Sequence, residues 1–93
     1  MQISPWSLKV NRSKYTLIDV RELDELGGID GALRVPLGRL IRDFGSFGFG
    51  DKELVIYCMG GVRGGVAVEF LIKKGYKALN LEGGLRAYNN LNN

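Results

Sequence analysis

Two uninterrupted apolar segments constrain the fold of this chain more than any other feature of its sequence. Residues 15–20 and 54–58 are rich in β-branched and aromatic side chains, and neither segment alternates cleanly between apolar and polar residues. Continuous apolar strands are typical of parallel sheets that are buried on both faces. Two shorter segments, residues 33–35 and 78–81, predict further strands.

The clearest helix is predicted over residues 62–74, where Val62, Val66 and Phe70 recur at helical spacing. Basic residues and then a glycine close this segment, as expected at the C-terminus of a helix. Because strands alternate with helices, the sequence predicts an α/β fold with a mainly parallel sheet covered on both faces. Shorter helices are predicted over residues 22–26, 36–42 and 84–91.

Residues 45–50 place glycines between aromatic side chains and predict a loop. We expect the phenylalanines of this loop to complete the core. The alternative is a mobile aromatic flap or a partner-binding patch near a functional site.

Composition narrows the class of protein. The 93 residues carry a net charge of +3 and are 45% hydrophobic, which predicts one globular domain. No apolar run approaches the roughly 18–20 residues that span a bilayer, and the first residues do not resemble a secretory signal. The cytoplasm is therefore the expected location. A membrane is not an expected partner. A nucleic acid is not expected either, because the basic residues are scattered along the chain.

Histidine is absent from the sequence, and cysteine occurs once. The chain therefore has no imidazole for acid–base catalysis or metal binding, and a single thiol cannot hold a zinc ion alone. Neither a metal ion nor a cofactor is expected.

Cys58 is the residue on which chemistry is most expected. It stands where a predicted strand meets a glycine-rich turn and the start of the predicted helix, at the edge of the sheet where open α/β folds bind ligands. Gly60 and Gly61 allow successive amide groups to turn inward as an anion-binding nest. The helix N-terminus adds further amides and Arg63 adds a cation, so the setting favours a reactive thiolate that needs no histidine.

A plainer interpretation is that Cys58 is only a small buried apolar residue at the end of a strand. The order of strand, cysteine, glycines, arginine and helix favours the reactive interpretation. If the thiol is reactive, the same amide nest would also hold an anion formed on its sulfur.

Five motifs in the same order resemble the single-domain rhodanese-like sulfurtransferases over nearly the whole chain. They are residues 3–5, the Asp-Val-Arg strand end at 17–21, Gly-Ile-Asp-Gly-Ala at 28–32, the cysteine loop at 58–63, and Asn-Leu-Glu-Gly-Gly at 80–84. The resemblance implies a three-layer fold whose mainly parallel sheet of about five strands carries helices on both faces.

The resemblance also implies sulfur transfer. The Cys58 thiolate would take the outer sulfur of thiosulfate or a polysulfide, hold it as a persulfide, and pass it on. The loop that would bind the substrate and cradle the persulfide consists of Met59, Gly60, Gly61, Val62, Arg63 and Gly64. The donor would be a small anion. Because the chain has no second cysteine to resolve the persulfide, the acceptor would be cyanide, a small thiol or the thiol of another protein. Nothing in the sequence predicts an oligomeric state.

Charged residues around the loop each keep two interpretations. Arg63 either binds the anionic donor or stiffens the loop by pairing with an acid such as Asp19. Asp19 and Arg21 either support the site from behind the residues that touch substrate, or form a structural pair that fixes the turn after their strand.

Two alternative functions follow from details of the motifs. Four residues separate Cys58 from Arg63, whereas related dual-specificity phosphatases and arsenate reductases have one more, so these activities are a minor alternative. Gly28 replaces the histidine and Asp30 the proline of the family motif, and Gly64 stands where many members carry a serine. Gly64, together with a helix after Arg21 that looks about two residues short and the aromatic loop at residues 45–50, favours a second alternative, a non-catalytic binding module or a sulfur carrier loaded by a partner protein.

Overall fold

The structure, a computed structural model, describes residues 1–92, in which five parallel strands form one sheet flanked by four α-helices. The sheet has the order β1-β5-β4-β2-β3. Its strands are β1 (Gln2–Ile3), β2 (Tyr15–Asp19), β3 (Leu33–Arg34), β4 (Glu53–Tyr57) and β5 (Ala78–Leu81). The helices are α1 (Pro5–Val10), α2 (Leu37–Asp43), α3 (Val62–Lys73) and α4 (Gly84–Asn89), with short 3₁₀ turns at Arg12–Lys14, Phe44–Ser46 and Asn90–Asn92.

Strand β4 shows why the sheet is covered on both faces. Successive side chains of a strand point to opposite faces. Leu54 and Ile56 pack with residues of α2 and α3, whereas Val55 and Tyr57 pack on the other face with residues of α1 and α4. All four side chains are at most 2% exposed, and burying an apolar side chain of this size stabilises a fold by about 1.5–3 kcal/mol. The predicted three-layer α/β fold is confirmed.

The helices at and after the centre of the chain lie close to their predicted positions. Helix α3 covers the predicted segment to within one residue, and α2 begins at Leu37, one residue after the predicted start. Helix α4 ends at Asn89 and a 3₁₀ turn continues it. No helix within residues 1–92 is long and apolar enough to cross a membrane.

The prediction of a helix over residues 22–26 is wrong, because the carbonyl groups of this segment are bound by a side chain. The Arg34 guanidinium, on β3, donates hydrogen bonds to the carbonyl oxygens of Glu22, Leu23 and Glu25. The Glu22 carbonyl also accepts the Glu25 amide at 3.0 Å, a three-residue spacing that closes one tight turn. The segment is therefore a turn rather than a helix.

The glycine-rich aromatic segment completes the core, as predicted. Phe49 is buried and stacks on Phe47 with the ring centroids 5.6 Å apart, and Phe47 packs against the cluster formed by α2 and α3. Tyr76 closes the group with an edge-on contact to Phe49 at 6.1 Å. These contacts fix the segment beneath α2 and α3, as part of the packing of the domain.

Candidate active site

Cys58 directly follows β4, at the carboxyl edge of the sheet, and its sulfur is held by two backbone amides. The N–H groups of Gly61 and Gly64 donate to Sγ at 3.1 and 3.2 Å. Gly61 has a φ of +116°, in the left-handed region that favours glycine, and it directly precedes α3. This turn lets the loop fold back over the sulfur, so the predicted amide nest is present around Cys58.

The thiol lies beneath its loop. Cys58 is 1% exposed, and Gly64 on the first turn of α3 is also buried. The loop residues differ in exposure: Val62 is 82% exposed at the rim, whereas the Met59 side chain packs on the opposite face, against the cluster of α1 and α4. A reacting group must therefore be small, or the loop must move, for a bond to form at Sγ.

The start of α4 braces the loop from the neighbouring strand end. The amides of Leu85 and Arg86 donate to the carbonyl oxygens of Cys58 and Met59 at 2.8 and 3.1 Å. This approach depends on Gly84, because a Cβ at that position would lie 2.6 Å from both carbonyl oxygens. The Gly-Gly pair at the end of the family motif at residues 80–84 therefore allows α4 to contact the cysteine loop directly.

Asn80 on β5 braces the loop from below, a role that the sequence analysis missed. Its Nδ2 donates to the carbonyl oxygen of Gly61 at 3.0 Å, and its Oδ1 has no hydrogen-bond partner among the described residues. A Cβ at Gly64 would collide with that oxygen. The absence of a serine at position 64 therefore matches the presence of Asn80, which contacts both residues whose amides hold the sulfur.

Arg63 pairs with Glu25, and not with Asp19 as the sequence analysis suggested. Its terminal nitrogens reach the two carboxylate oxygens at 2.6 and 2.9 Å. The hydrogen bonds from Arg63 lower the pKa of Glu25 to about 2, and the hydrogen bond to Glu25 raises the pKa of Arg63. Asp19 pairs instead with Arg21 and Arg34. Glu25 was missed because its segment was expected to form a helix.

Asp19 and Arg21 form a buried ion pair that fixes the turn after β2. The Arg21 side chain is 0% exposed, and its Nη2 lies 2.9 Å from Asp19 Oδ2. Arg21 also donates to the carbonyl oxygens of Leu26 and Gly27, and Arg34 is a second partner of Asp19 at 3.0 Å. Within residues 1–92 none of their hydrogen bonds reaches the Cys58 loop, so the geometry favours the structural interpretation of the pair.

The ionisation of this cluster follows from its hydrogen bonds. Burial opposes ionisation of Asp19, but hydrogen bonds from Arg21, Tyr57 and Arg34 outweigh it and lower the pKa of that carboxyl group. The hydrogen bond to Asp19 raises the pKa of Arg21. Burial raises the pKa of Tyr57 to about 12. Both members of the ion pair are therefore charged, and the phenol is neutral, across the physiological range.

We predict that Tyr57 makes the fold sensitive to alkali. Its pKa is ordinarily 10.0 and is about 12 in the folded protein, so the native state holds the phenolic proton more tightly than the unfolded state. Its contribution to stability is complete below pH 10 and is lost as the pH rises to about 12. The free energy of unfolding should fall by about 2 kcal/mol over this interval relative to Tyr57→Phe. Denaturant titrations of both proteins at several pH values measure the difference, and parallel profiles would contradict the assignment.

With this geometry established, comparison with known proteins decides the family. The sequence profile described as Rhodanese-like domain matches residues 6–91. This chain belongs to the Rhodanese-like domain family. A sulfurtransferase of Allochromatium vinosum is 39% identical over an alignment of 75 positions, and the match covers 77% of this rhodanese-like chain and 69% of that protein.

Solved structures of the family share the fold of this rhodanese-like domain. A rhodanese-related protein from Thermoplasma volcanium has a TM-score of 0.88 at 32% identity, over 94% of this chain and 88% of that chain. A rhodanese-like domain protein from Staphylococcus aureus has a TM-score of 0.84 at 32% identity, over 95% and 91% of the two chains. The family resemblance inferred from the motifs is therefore confirmed. The relatives of this chain include proteins named as sulfurtransferases.

The structure also accounts for one departure from the rhodanese-like pattern. Gly28, at the position of the family's histidine, has a φ of +127°. A Cβ there would lie 3.2 Å from the Tyr57 hydroxyl oxygen and 3.3 Å from Arg21 Nη2. The position is therefore strained for other residues and crowded by the buried cluster, which explains why glycine suits this chain.

Proposed function

We propose that this rhodanese-like domain is a sulfurtransferase that moves sulfane sulfur from thiosulfate or a polysulfide to an external acceptor through a Cys58 persulfide. The observation that carries the proposal is the pair of amide hydrogen bonds to Sγ from Gly61 and Gly64. Backbone amides aimed at Sγ can donate hydrogen bonds to negative charge on the sulfur during the transfer. The thiolate is the nucleophilic form of a cysteine.

In the first step, the Cys58 thiolate attacks the outer sulfur of thiosulfate. A bond forms between Sγ and that sulfur, the sulfur–sulfur bond of the donor breaks, and sulfite leaves with the electron pair. The anionic persulfide then lies under the loop, where the first-turn amides of α3 lack intrahelical acceptors. We infer that the loop residues Met59 to Gly64 cradle it, with Arg63 held in place by Glu25.

In the second step, a nucleophilic acceptor attacks the outer sulfur of the persulfide. Its bond to Sγ breaks, the acceptor leaves with the sulfur, and the Cys58 thiolate is regenerated. Cyanide, a small thiol or the thiol of another protein can serve, since each supplies the attacking electron pair. We place the reaction in the cytoplasm, where thiols are kept reduced.

Intact-mass measurement after incubation with thiosulfate or polysulfide tests the proposal. The wild-type protein should gain one sulfur atom and lose it again when cyanide is added, with formation of thiocyanate. Cys58→Ser is the matched control and should gain nothing. A wild-type mass that stays unchanged with every small donor contradicts the proposal.

Two other outcomes would identify the alternatives. Loading by a cysteine desulfurase without turnover of small donors would indicate a sulfur carrier. Hydrolysis of an aryl phosphate or reduction of arsenate would indicate the phosphatase or arsenate reductase activity.

A further inference from the structure

Arg63 is already neutralised in this structure. Both of its terminal nitrogens donate to the carboxylate of Glu25, in the two-point geometry that satisfies both groups. A dianionic donor would have to displace that carboxylate in order to use this guanidinium. A positive charge that binds the donor would therefore come from another residue near the loop.

Arg86 is placed to supply it. Its backbone amide donates to the carbonyl oxygen of Met59 at 3.1 Å, which fixes its position against the loop. Its guanidinium extends over Gly60: a Cβ built on that glycine would lie 3.5 Å from Arg86 Nη1. Gly60 leaves the space open because it carries no side chain. The guanidinium thus lies beside the backbone two residues after Cys58.

The charge of Arg86 is not used by the fold. The side chain is exposed and makes no ion pair or hydrogen bond within residues 1–92. Glu82, which precedes α4, does not lie within ion-pair distance of it. Other arginines of the domain are engaged: Arg21 and Arg34 on Asp19, Arg39 over the Phe47 ring, and Arg42 on Asp43.

We propose that Arg86 binds the anionic part of the sulfur donor at the mouth of the Cys58 loop. The identity of the donor rests on the function proposed above. Thiosulfate would place its sulfonate oxygens on the Arg86 guanidinium and its outer sulfur toward Sγ. The sulfonate is already anionic before the reaction, so this contact supports binding of the donor. Arg63 then keeps the loop in shape and Arg86 selects anions.

Alkylation of Cys58 tests this assignment without any sulfur transfer. Iodoacetate and iodoacetamide form the same bond to sulfur, but only iodoacetate is anionic. Arg86→Gln should lower the ratio of the iodoacetate rate constant to the iodoacetamide rate constant about threefold to tenfold, because one charged contact is lost. Arg86→Lys should restore most of the ratio. The matched control is Arg42→Gln on α2, whose side chain is also exposed; it should leave the ratio unchanged.

The Michaelis constant for thiosulfate gives the second readout. Arg86→Gln should raise it about threefold to tenfold with little change in kcat. An iodoacetate to iodoacetamide ratio that is the same in Arg86→Gln and the wild type overturns the proposal. If the wild type gains no sulfur from any donor but Arg86→Gln still lowers the ratio, the transfer function fails and the anion-binding role of Arg86 stands.

Discussion

Asp19→Ala is expected to lower the free energy of unfolding by about 3–5 kcal/mol, because it leaves a buried charge without its partner. The Arg21 guanidinium is fully buried, and its counter-ion is the Asp19 carboxylate, 2.9 Å away. Arg34 loses the same partner, and with it one of the contacts that hold the turn at residues 22–26. Equilibrium unfolding in denaturant measures the loss.

Two comparisons separate this effect from the loss of an ordinary ion pair. Glu69→Ala removes the partner of Lys73 on the exposed face of α3, where both side chains are 75% exposed, and should cost at most about 1 kcal/mol. Lowering the pH should reduce the free energy of unfolding more for the wild type than for Asp19→Ala. The pKa of Asp19 is lowered in the folded state, so its contribution is present above its ordinary value of 3.8 and is lost as the pH falls below it. A loss in Asp19→Ala no larger than in Glu69→Ala would show that the buried pair is not needed.

The elements that the sequence predicted well are those whose signal is local. Strand β4 is buried on both faces, so its unbroken apolar run leaves little choice of structure. Helix α3 combines an apolar stripe with a basic end and a following glycine, and its bounds came out within one residue. The cysteine loop joins these two elements. Its amide nest could be predicted for the same reason, because strand, glycines and helix are adjacent in the chain.

The elements that the sequence did not predict depend on partners far away in the chain. Strand β1 has two residues and is defined by its pairing with β5. The start of the neighbouring helix α1 is different, because a serine cap and a proline at residues 4–5 signal it locally. The turn at residues 22–26 exists because Arg34 binds its carbonyl groups across 9 to 12 positions of sequence. No periodicity within that segment records this.

The same distinction applies to the candidate site. Cys58, the nucleophile in our proposal, and its loop are contiguous, but their supports come from three separate segments. Glu25 reaches Arg63 from 38 residues away, and Asn80 reaches Gly61 from 19. Asn80 lies within a recognised motif, so its position could have been marked as important from sequence alone. Its hydrogen bond to the loop could not, since that depends on the pairing of β5 with β4.

Gly84→Ala is the substitution expected to couple the fold most directly to the chemistry of Cys58. The new Cβ would lie 2.6 Å from the carbonyl oxygens of Cys58 and Met59, which are backbone atoms that cannot rotate away. Gly84 also has a φ of +64°, which is strained for alanine. Strain of about 1–2 kcal/mol and overpacking of about 1–3 kcal/mol together predict a loss of about 2–5 kcal/mol in the free energy of unfolding.

Gly75→Ala is the matched control, since Gly75 has a φ of +94° and no atom within 4 Å of a built Cβ. It should show the backbone strain alone, about 1–2 kcal/mol, and leave the alkylation rate of Cys58 unchanged. Gly84→Ala should lose more stability and should also change that rate, because the alanine displaces the backbone of the reacting residue. Equal losses in the two variants, with equal alkylation rates, would mean that α4 can move away from the loop at no cost. The loop amides would then be held by Asn80 and α3 alone.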